Sequence, residues 1–208
     1  MLPNYFLRKY PIALSILFMA TGSVTAQSFE EYVTQGDEKA SNFNFESALI
    51  DYDRALELNP EAVDVLIKRG VARAEVKVFD LAMADFKRAL DIAPGNAKAL
   101  VARADTKVDQ LDYHGAMQDY NLAIAADSLN AHAYNGRGDI KLDRKDYLGA
   151  ILDYDKAISI DPRDAFSHYA RGIAKIKAHR QEEGCLDLSK SGELGYDQAY
   201  SDIKKLCK

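Results

Sequence analysis

The sequence predicts an all-α fold in which helical hairpins stack along one axis into a solenoid, and three observations point to it. Shifted against itself, the 208-residue chain repeats with a period of 34, most plainly at Pro60, Pro94 and Pro162, with Ser128 filling the missing beat. Small residues recur in fixed columns: Gly36, Gly70, Ala104, Gly138 and Gly172; Ala48, Ala82, Ala116, Ala150 and Gly184; then Ala55, Ala89, Ala123, Ala157 and Ser191. Within each period, apolar residues follow helical spacing twice, on either side of a short polar break. One hairpin cannot bury its apolar face alone, so successive periods must stack, and the core then runs the length of the chain.

Residues 1–26 place Arg8 and Lys9 ahead of an apolar stretch at 12–20 and end in Val24, Thr25 and Ala26. That is the layout of a cleavable secretory signal peptide, and the apolar stretch is shorter than the ~20 residues a spanning helix needs. Cleavage after Ala26 would leave a mature chain of 27–208, with no cysteine at its start to carry a lipid and no later segment apolar enough to span a membrane. Export is therefore expected, to the periplasm of a double-membraned bacterium or beyond it.

The repeating part divides into blocks 29–62, 63–96, 97–130 and 131–164, a divergent fifth at 165–198, and a capping helix near 196–206. The breaks at 42–44, 76–78, 110–112 and 144–146 separate a first and a second helix in each block. Small residues where the helices cross allow approach to about 8–10 Å, while Leu56, Leu90, Ile124 and Ile158 fill the grooves. Tyr52, Phe86, Tyr120, Tyr154 and Leu188 form a further column between the last two small ones.

Composition suits one folded domain: 48% hydrophobic and 28% charged, with a net charge of −5. Losing the leader removes two basic residues and no acids, which takes the charge to −7. A chain this acidic, without a basic face, is a poor candidate for binding nucleic acid.

At its columns the chain resembles the tetratricopeptide repeat family, whose period, small residues and closing proline it reproduces over about 170 residues. The resemblance implies a right-handed superhelix of helix-turn-helix repeats. The chain departs from the family pattern on either side of the first small column. Arg69, Arg103, Arg137 and Arg171 replace the usual Leu, and Arg73, Lys107, Lys141 and Lys175 replace the usual Tyr. Each second helix carries Asp51, Asp85, Asp119, Asp153 or Asp187 just before its aromatic or Leu position. If each Arg reaches back to the preceding block, the pairs are Arg69 with Asp51, Arg103 with Asp85, Arg137 with Asp119 and Arg171 with Asp153. That ladder would fix the register between repeats, since desolvation offsets much of its Coulomb gain.

The resemblance also implies that the first helices line a concave face that binds an extended peptide or a partner helix. The candidate partner-binding residues there are Asp37, Asp64, Asp105, Asp109, Asn135, Asp139 and Asp143, followed by an apolar patch at Phe166 and Tyr169. Family members that clamp a chaperone's terminal carboxylates use Lys and Asn in this groove. The acidic set here lacks that pattern and suits a basic or polar segment instead.

Arg137, Gly138 and Asp139 spell a tripeptide that adhesion receptors read at the tips of exposed loops. Here Arg137 belongs to the Arg column and Gly138 to the crossing column, so the tripeptide reads as repeat structure. His114, His132, His168 and His179 fall at unrelated places and lack metal-ligand spacing, so they read as scattered surface residues. No nucleophile elbow and no Gly-rich phosphate loop is present, and neither an enzyme nor a cofactor is expected. Cys185 opens the second helix of the last block and Cys207 ends the capping helix. Antiparallel packing of two such helices brings the cysteines together, and an oxidising compartment would join them as a disulfide. Two function classes fit: an exported adaptor that binds partners through its groove, and a structural subunit fixed in a cell-envelope assembly.

Overall fold

The computed structural model describes residues 27–207, so the expected leader lies outside the described residues. Among the described residues there are eleven helices and no strands. They are α1 (Phe29–Ser41), α2 (Phe45–Leu58), α3 (Val63–Glu75), α4 (Phe79–Ile92), α5 (Ala97–Asp109), α6 (Tyr113–Ala126), α7 (Ala131–Asp143), α8 (Tyr147–Ile160), α9 (Ala165–Lys177), α10 (Gln181–Glu193) and α11 (Gln198–Leu206). The odd-numbered helices through α9 each pair most closely with the even-numbered helix that follows. Adjacent odd helices from α3 to α9 also touch one another, and the even helices make no comparable contact among themselves. That asymmetry puts the odd helices on the inside of the curve.

Local chemistry sets the helix ends. Ser28 and Glu31 form a reciprocal capping box at α1, and Asn44, Asn96, Asp112, Asn130, Asp146 and Asp164 accept from backbone N–H groups at later starts. The first helix of each hairpin ends on a residue in the left-handed region: Phe43, Lys77, Leu111, Lys145 and His179, with φ between 58° and 65°. The next N–H then reaches back to the helix, as Asn44 does to the Lys39 carbonyl at 2.9 Å and Val78 to Arg73 at 2.8 Å. These are Schellman closures made without glycine.

Where the two helices of a hairpin cross, a ring lies against a bare backbone. A Cβ on Gly138 would sit 2.8 Å from the Tyr154 ring, and one on Gly70 would sit 2.5 Å from Phe86. Gly138 is buried in α7, Arg137 grips Asp153, and Asp139 accepts from Tyr154, so all three residues of the adhesion-like tripeptide are committed to the repeat.

The Arg ladder runs in the opposite register to the one expected. Each Arg makes paired bonds to the Asp of its own block: Arg69 to Asp85 (2.6 and 2.9 Å), Arg103 to Asp119 (2.7 and 2.8 Å), Arg137 to Asp153 (2.6 and 3.0 Å) and Arg171 to Asp187 (2.6 and 2.8 Å). The second basic column adds Arg73, Lys107, Lys141 and Lys175 to the same four carboxylates, each at 2.7 Å. Asp51 is not orphaned by this register, because Lys39 binds it at 2.5 Å. Contact with the preceding block does occur, through the remaining guanidinium nitrogen and a different acceptor. Arg69 reaches Asp53, Arg137 reaches Asn121 and Arg171 reaches Asp155. The place corresponding to those acceptors holds Lys87 before Arg103, which makes no such third bond among the described residues.

Burial alone would push the Asp119 carboxyl up, but Arg103 and Lys107 outweigh it and hold the group below the usual carboxylate range. Arg171 and Lys175 do the same for Asp187. Such groups add stability above the ordinary Asp range and lose it as the pH falls through their own lowered values.

One histidine departs from the surface reading. His168 is 7% exposed, with Nε2 against the Pro162 carbonyl at 3.2 Å and Nδ1 without a hydrogen-bond partner among the described residues. It occupies the place filled by Leu66 and Leu100 in earlier blocks, both buried. At the C-terminal end, α11 packs on α10, and a disulfide joins Cys185 to Cys207 across a Cα separation of 5.8 Å.

Candidate functional site

Along the inner face, two clefts of about 480 and 450 Å³ open between α3, α5, α7 and α9. They share Asp105, Asp109 and His132 and so form one continuous groove. A third cleft of about 480 Å³ lies nearer the N-terminus and includes Asp64 and Lys68. No helix among the described residues is long and apolar enough to cross a membrane, and no His, Cys, Asp and Glu group there could hold a metal ion.

The groove acids divide by what already holds them. Asp37, Asp105 and Asp139 each accept from the ring hydroxyl of the following second helix: Tyr52 at 2.9 Å, Tyr120 at 2.5 Å and Tyr154 at 2.6 Å. These bonds run from the core outward, so the three acids are partly structural. Asp37 also pairs with Lys68 at 2.6 Å, and Asp105 with His132 at 3.1 Å. The bond to Asp105 raises the His132 imidazole, against the opposing effect of burial, with Asp139 and Asp164 adding to the rise. Asp139 makes no ion pair among the described residues. Burial pushes its carboxyl up to about 6 and Asp143 adds to this, while the Tyr154 hydroxyl and His132 oppose it.

Glu75, Asp109 and Asp143 stand at equivalent places near the ends of α3, α5 and α7, and all three are exposed. Lys77 approaches Asp109 at 3.2 Å, whereas Glu75 and Asp143 make no ion pair among the described residues. Asp64 is exposed as well.

The remaining expected residues are drawn into other contacts. The Asn135 amide donates to Asp164 at 2.9 Å and its oxygen accepts from Ser167 at 2.8 Å, while Ser167 also bonds Asp164. Phe166 packs edge-on against Tyr196. Tyr169 lies 4.8 Å from the same ring and donates to Asp202 at 2.7 Å. Burial with the Asp202 bond pushes the Tyr169 hydroxyl up to about 12. The chain's own C-terminal segment thus covers part of the apolar patch expected at the end of the groove, while Phe166 still lines the second cleft.

The Tyr-to-Asp link escaped the sequence reading, although its signal is present there. Fifteen residues separate Asp37 from Tyr52, Asp105 from Tyr120 and Asp139 from Tyr154. Where the ring lacks a hydroxyl the acid is gone too: Val71 stands before Phe86 and Ile173 before Leu188. Each hydroxyl appears with its acceptor, and neither is found alone.

A tetratricopeptide repeat family model matches residues 33–97, and a TPR repeat model matches 138–177, together just over half of the chain. Among solved structures, yeast Tom70 is similar with a TM-score of 0.76 at 20% identity, over 86% of this chain and 40% of that one. PilF of Pseudomonas aeruginosa gives 0.75 at 19%, over 80% and 76%. YrrB, described as a TPR protein with an unusual peptide-binding site, gives 0.63 at 20%, over 86% and 93%. At these identities the likeness is one of fold. No curated protein matches the sequence.

Proposed function

Because this chain belongs to the tetratricopeptide repeat family, we propose that it works as a protein-interaction adaptor whose inner groove receives a basic or polar extended segment of a partner. The observation that carries the reading is the set of groove acids that make no ion pair among the described residues: Asp64, Glu75, Asp139 and Asp143. An acidic concavity draws cationic segments and raises their rate of encounter. We further propose that the protein is exported, most simply to a periplasm. The layout of residues 1–26 and the disulfide between Cys185 and Cys207 both support that, since such bonds persist in oxidising compartments.

The test reverses charge only where no core contact depends on it. Asp105 and Asp139 hold tyrosine hydroxyls, so changing them would mix binding with folding. The variant E75K/D109K/D143K should keep its helicity and bind a labelled lysine-rich peptide at least tenfold more weakly than the native chain. Binding to the native chain should also fall as pH drops through about 6, where Asp139 gains a proton and ceases to attract a cation. Equal affinity for both proteins would remove the groove from the reading.

A second reading, a fixed subunit of an envelope assembly, draws on the outer face. Leu148 and Leu152 on α8 and Leu186 on α10 are 65%, 66% and 71% exposed. A permanent neighbour would cover such side chains. Exchange of a labelled copy into native complexes separates the readings: an adaptor exchanges, a fixed subunit does not.

A further inference from the structure

The groove is not uniformly acidic, and the exception is built into the fold. Along the inner helices, one equivalent position reads Asp37, Val71, Asp105, Asp139 and Ile173. Three of these are acids that serve a core tyrosine. Val71 has no such duty, because Phe86 behind it has no hydroxyl to satisfy. Its side chain is 38% exposed and lines the first cleft beside Ile67, Ala74, Val101 and Ala102. The second cleft, one inner helix further on, has Asp105, Asp109, Asp139 and Asp164 in its wall. Glu75, Lys98, Asp105 and Asp109 also line the first cleft, so its apolar floor lies among charged groups, and the wall becomes more acidic toward Asp139 and Asp164 in the second.

We propose that the groove recognises a two-part motif: an apolar side chain seated on Val71, followed by a basic side chain at the cleft of Asp139. This rests on the groove reading above and deepens it by naming what the bound segment must carry. Charge complementarity selects the basic end, since Asp139 and neighbouring Asp143 make no ion pair among the described residues. The apolar end is selected because a segment lying along the groove must cover Val71, and a polar side chain there would lose its water without gaining a partner. Spacing follows from the fold. Val71 on α3 and Asp139 on α7 are two inner-helix steps apart; neighbouring helices lie about 8–10 Å apart and an extended chain rises about 3.3 Å per residue, so the two steps span about five to six residues. The motif is an apolar residue with a Lys or Arg about five to six positions away.

The repeat itself supplies a conservative variant. V71D/F86Y installs in the second block the acid and ring that the first, third and fourth blocks already use, so the fold has a tested arrangement to adopt. Three labelled probes are needed: acetyl-GSLSSSSKKSG-amide, the same peptide with its Leu replaced by Ser, and one with the Leu placed next to the first Lys. The native protein should bind the first probe at least tenfold more tightly than the other two. V71D/F86Y should bind all three alike, at about the native affinity for the Leu-free probe or somewhat tighter because of the added acid. If the Leu gives no advantage, or V71D/F86Y retains it, the two-part motif is wrong while the basic-segment reading stands. If no probe binds the native chain at all, both fail together. Circular dichroism and a melting curve on V71D/F86Y confirm that its fold is native, and E75K/D109K/D143K should weaken every probe.

Discussion

The two ends of the solenoid face the same physical problem and solve it differently. Inside the stack, each first helix buries two equivalent places: Val65, Ala99, Ala133 and Ser167 at one, Ala72, Thr106, Ile140 and Ala174 at the other. In α1 those two places hold Glu31 and Glu38, both exposed. The N-terminal end is thus finished by substitution, with polar residues where apolar ones would lie bare. The C-terminal end is finished by addition: α11 takes the position of a further first helix, Tyr196 packs at a tilt against Tyr169, and the disulfide holds the helix down. A polar face costs little but leaves the last core layer open to water. An added helix covers that layer but must itself be anchored, because nine residues make a weak helix alone.

The largest expected difference between the ends lies in the ladder. Asp187 is held by Arg171 and Lys175, whose side chains are 17% and 12% exposed, whereas Asp51 is held by Lys39 alone, at 39%. Replacing Asp187 by Asn strands two largely buried cations and should cost about 3 kcal/mol. Replacing Asp51 by Asn frees one lysine that already reaches water and should cost about 1 kcal/mol. Urea unfolding of the two variants measures both, and equal costs would show that the second cation contributes nothing.

The disulfide comes next. In C185S/C207S the closed loop, a sequence separation of 22, opens, and the chain-entropy estimate assigns about 3 kcal/mol to such a closure. The strain-free part of that loss should appear at the C-terminal end alone. Hydrogen exchange should quicken through α11 and leave α1 and α2 unchanged, because stability in a solenoid sums over near neighbours. Faster exchange at α1 as well would mean that the solenoid unfolds as one unit.

These contrasts also show what could be read in the sequence. Period, hairpin breaks and capping helix were legible because glycine, alanine and proline columns report directly on close backbone approach. Ladder register was not, since a column records which residues recur and not how far a long side chain reaches. Arg69 bonds forward to Asp85 and backward to Asp53, each sixteen residues away, so a single backward pairing with the Asp51 column could not describe its contacts. Lys39 falls in the second basic column, so Asp51 has a cation in its own block even though that block lacks the Arg. For the groove, composition located the acids but could not separate Asp105 and Asp139, which serve the core, from Asp109 and Asp143, which do not. For Phe166 and Tyr169, the sequence alone does not show that Tyr196 packs against both rings while Phe166 still lines the second cleft.

The smallest expected effect contrasts turns within the stack with the turn into its cap. Every hairpin turn places an ordinary residue in the left-handed region, while the turn before α11 uses Gly195, at φ 97°. A Cβ in that region costs about 1–2 kcal/mol, and glycine gives back about 0.5–1 kcal/mol through the greater freedom of its unfolded chain. Leu111, with φ 63° and its side chain 70% exposed, gains little from packing to offset the strain. Leu111→Gly should therefore stabilise the protein by about 0.5–1 kcal/mol, against the usual sense of a glycine substitution. The Schellman bonds that close this turn, Leu111 N to Val108 O and Asp112 N to Lys107 O, both at 2.8 Å, use backbone alone and survive the change. Gly195→Ala should move the other way by about 1 kcal/mol, with no steric clash involved, since nothing lies within 4 Å of its added Cβ. Urea midpoints measure both substitutions. A destabilising Leu111→Gly would mean that the exposed leucine is held by a contact that outweighs its backbone strain.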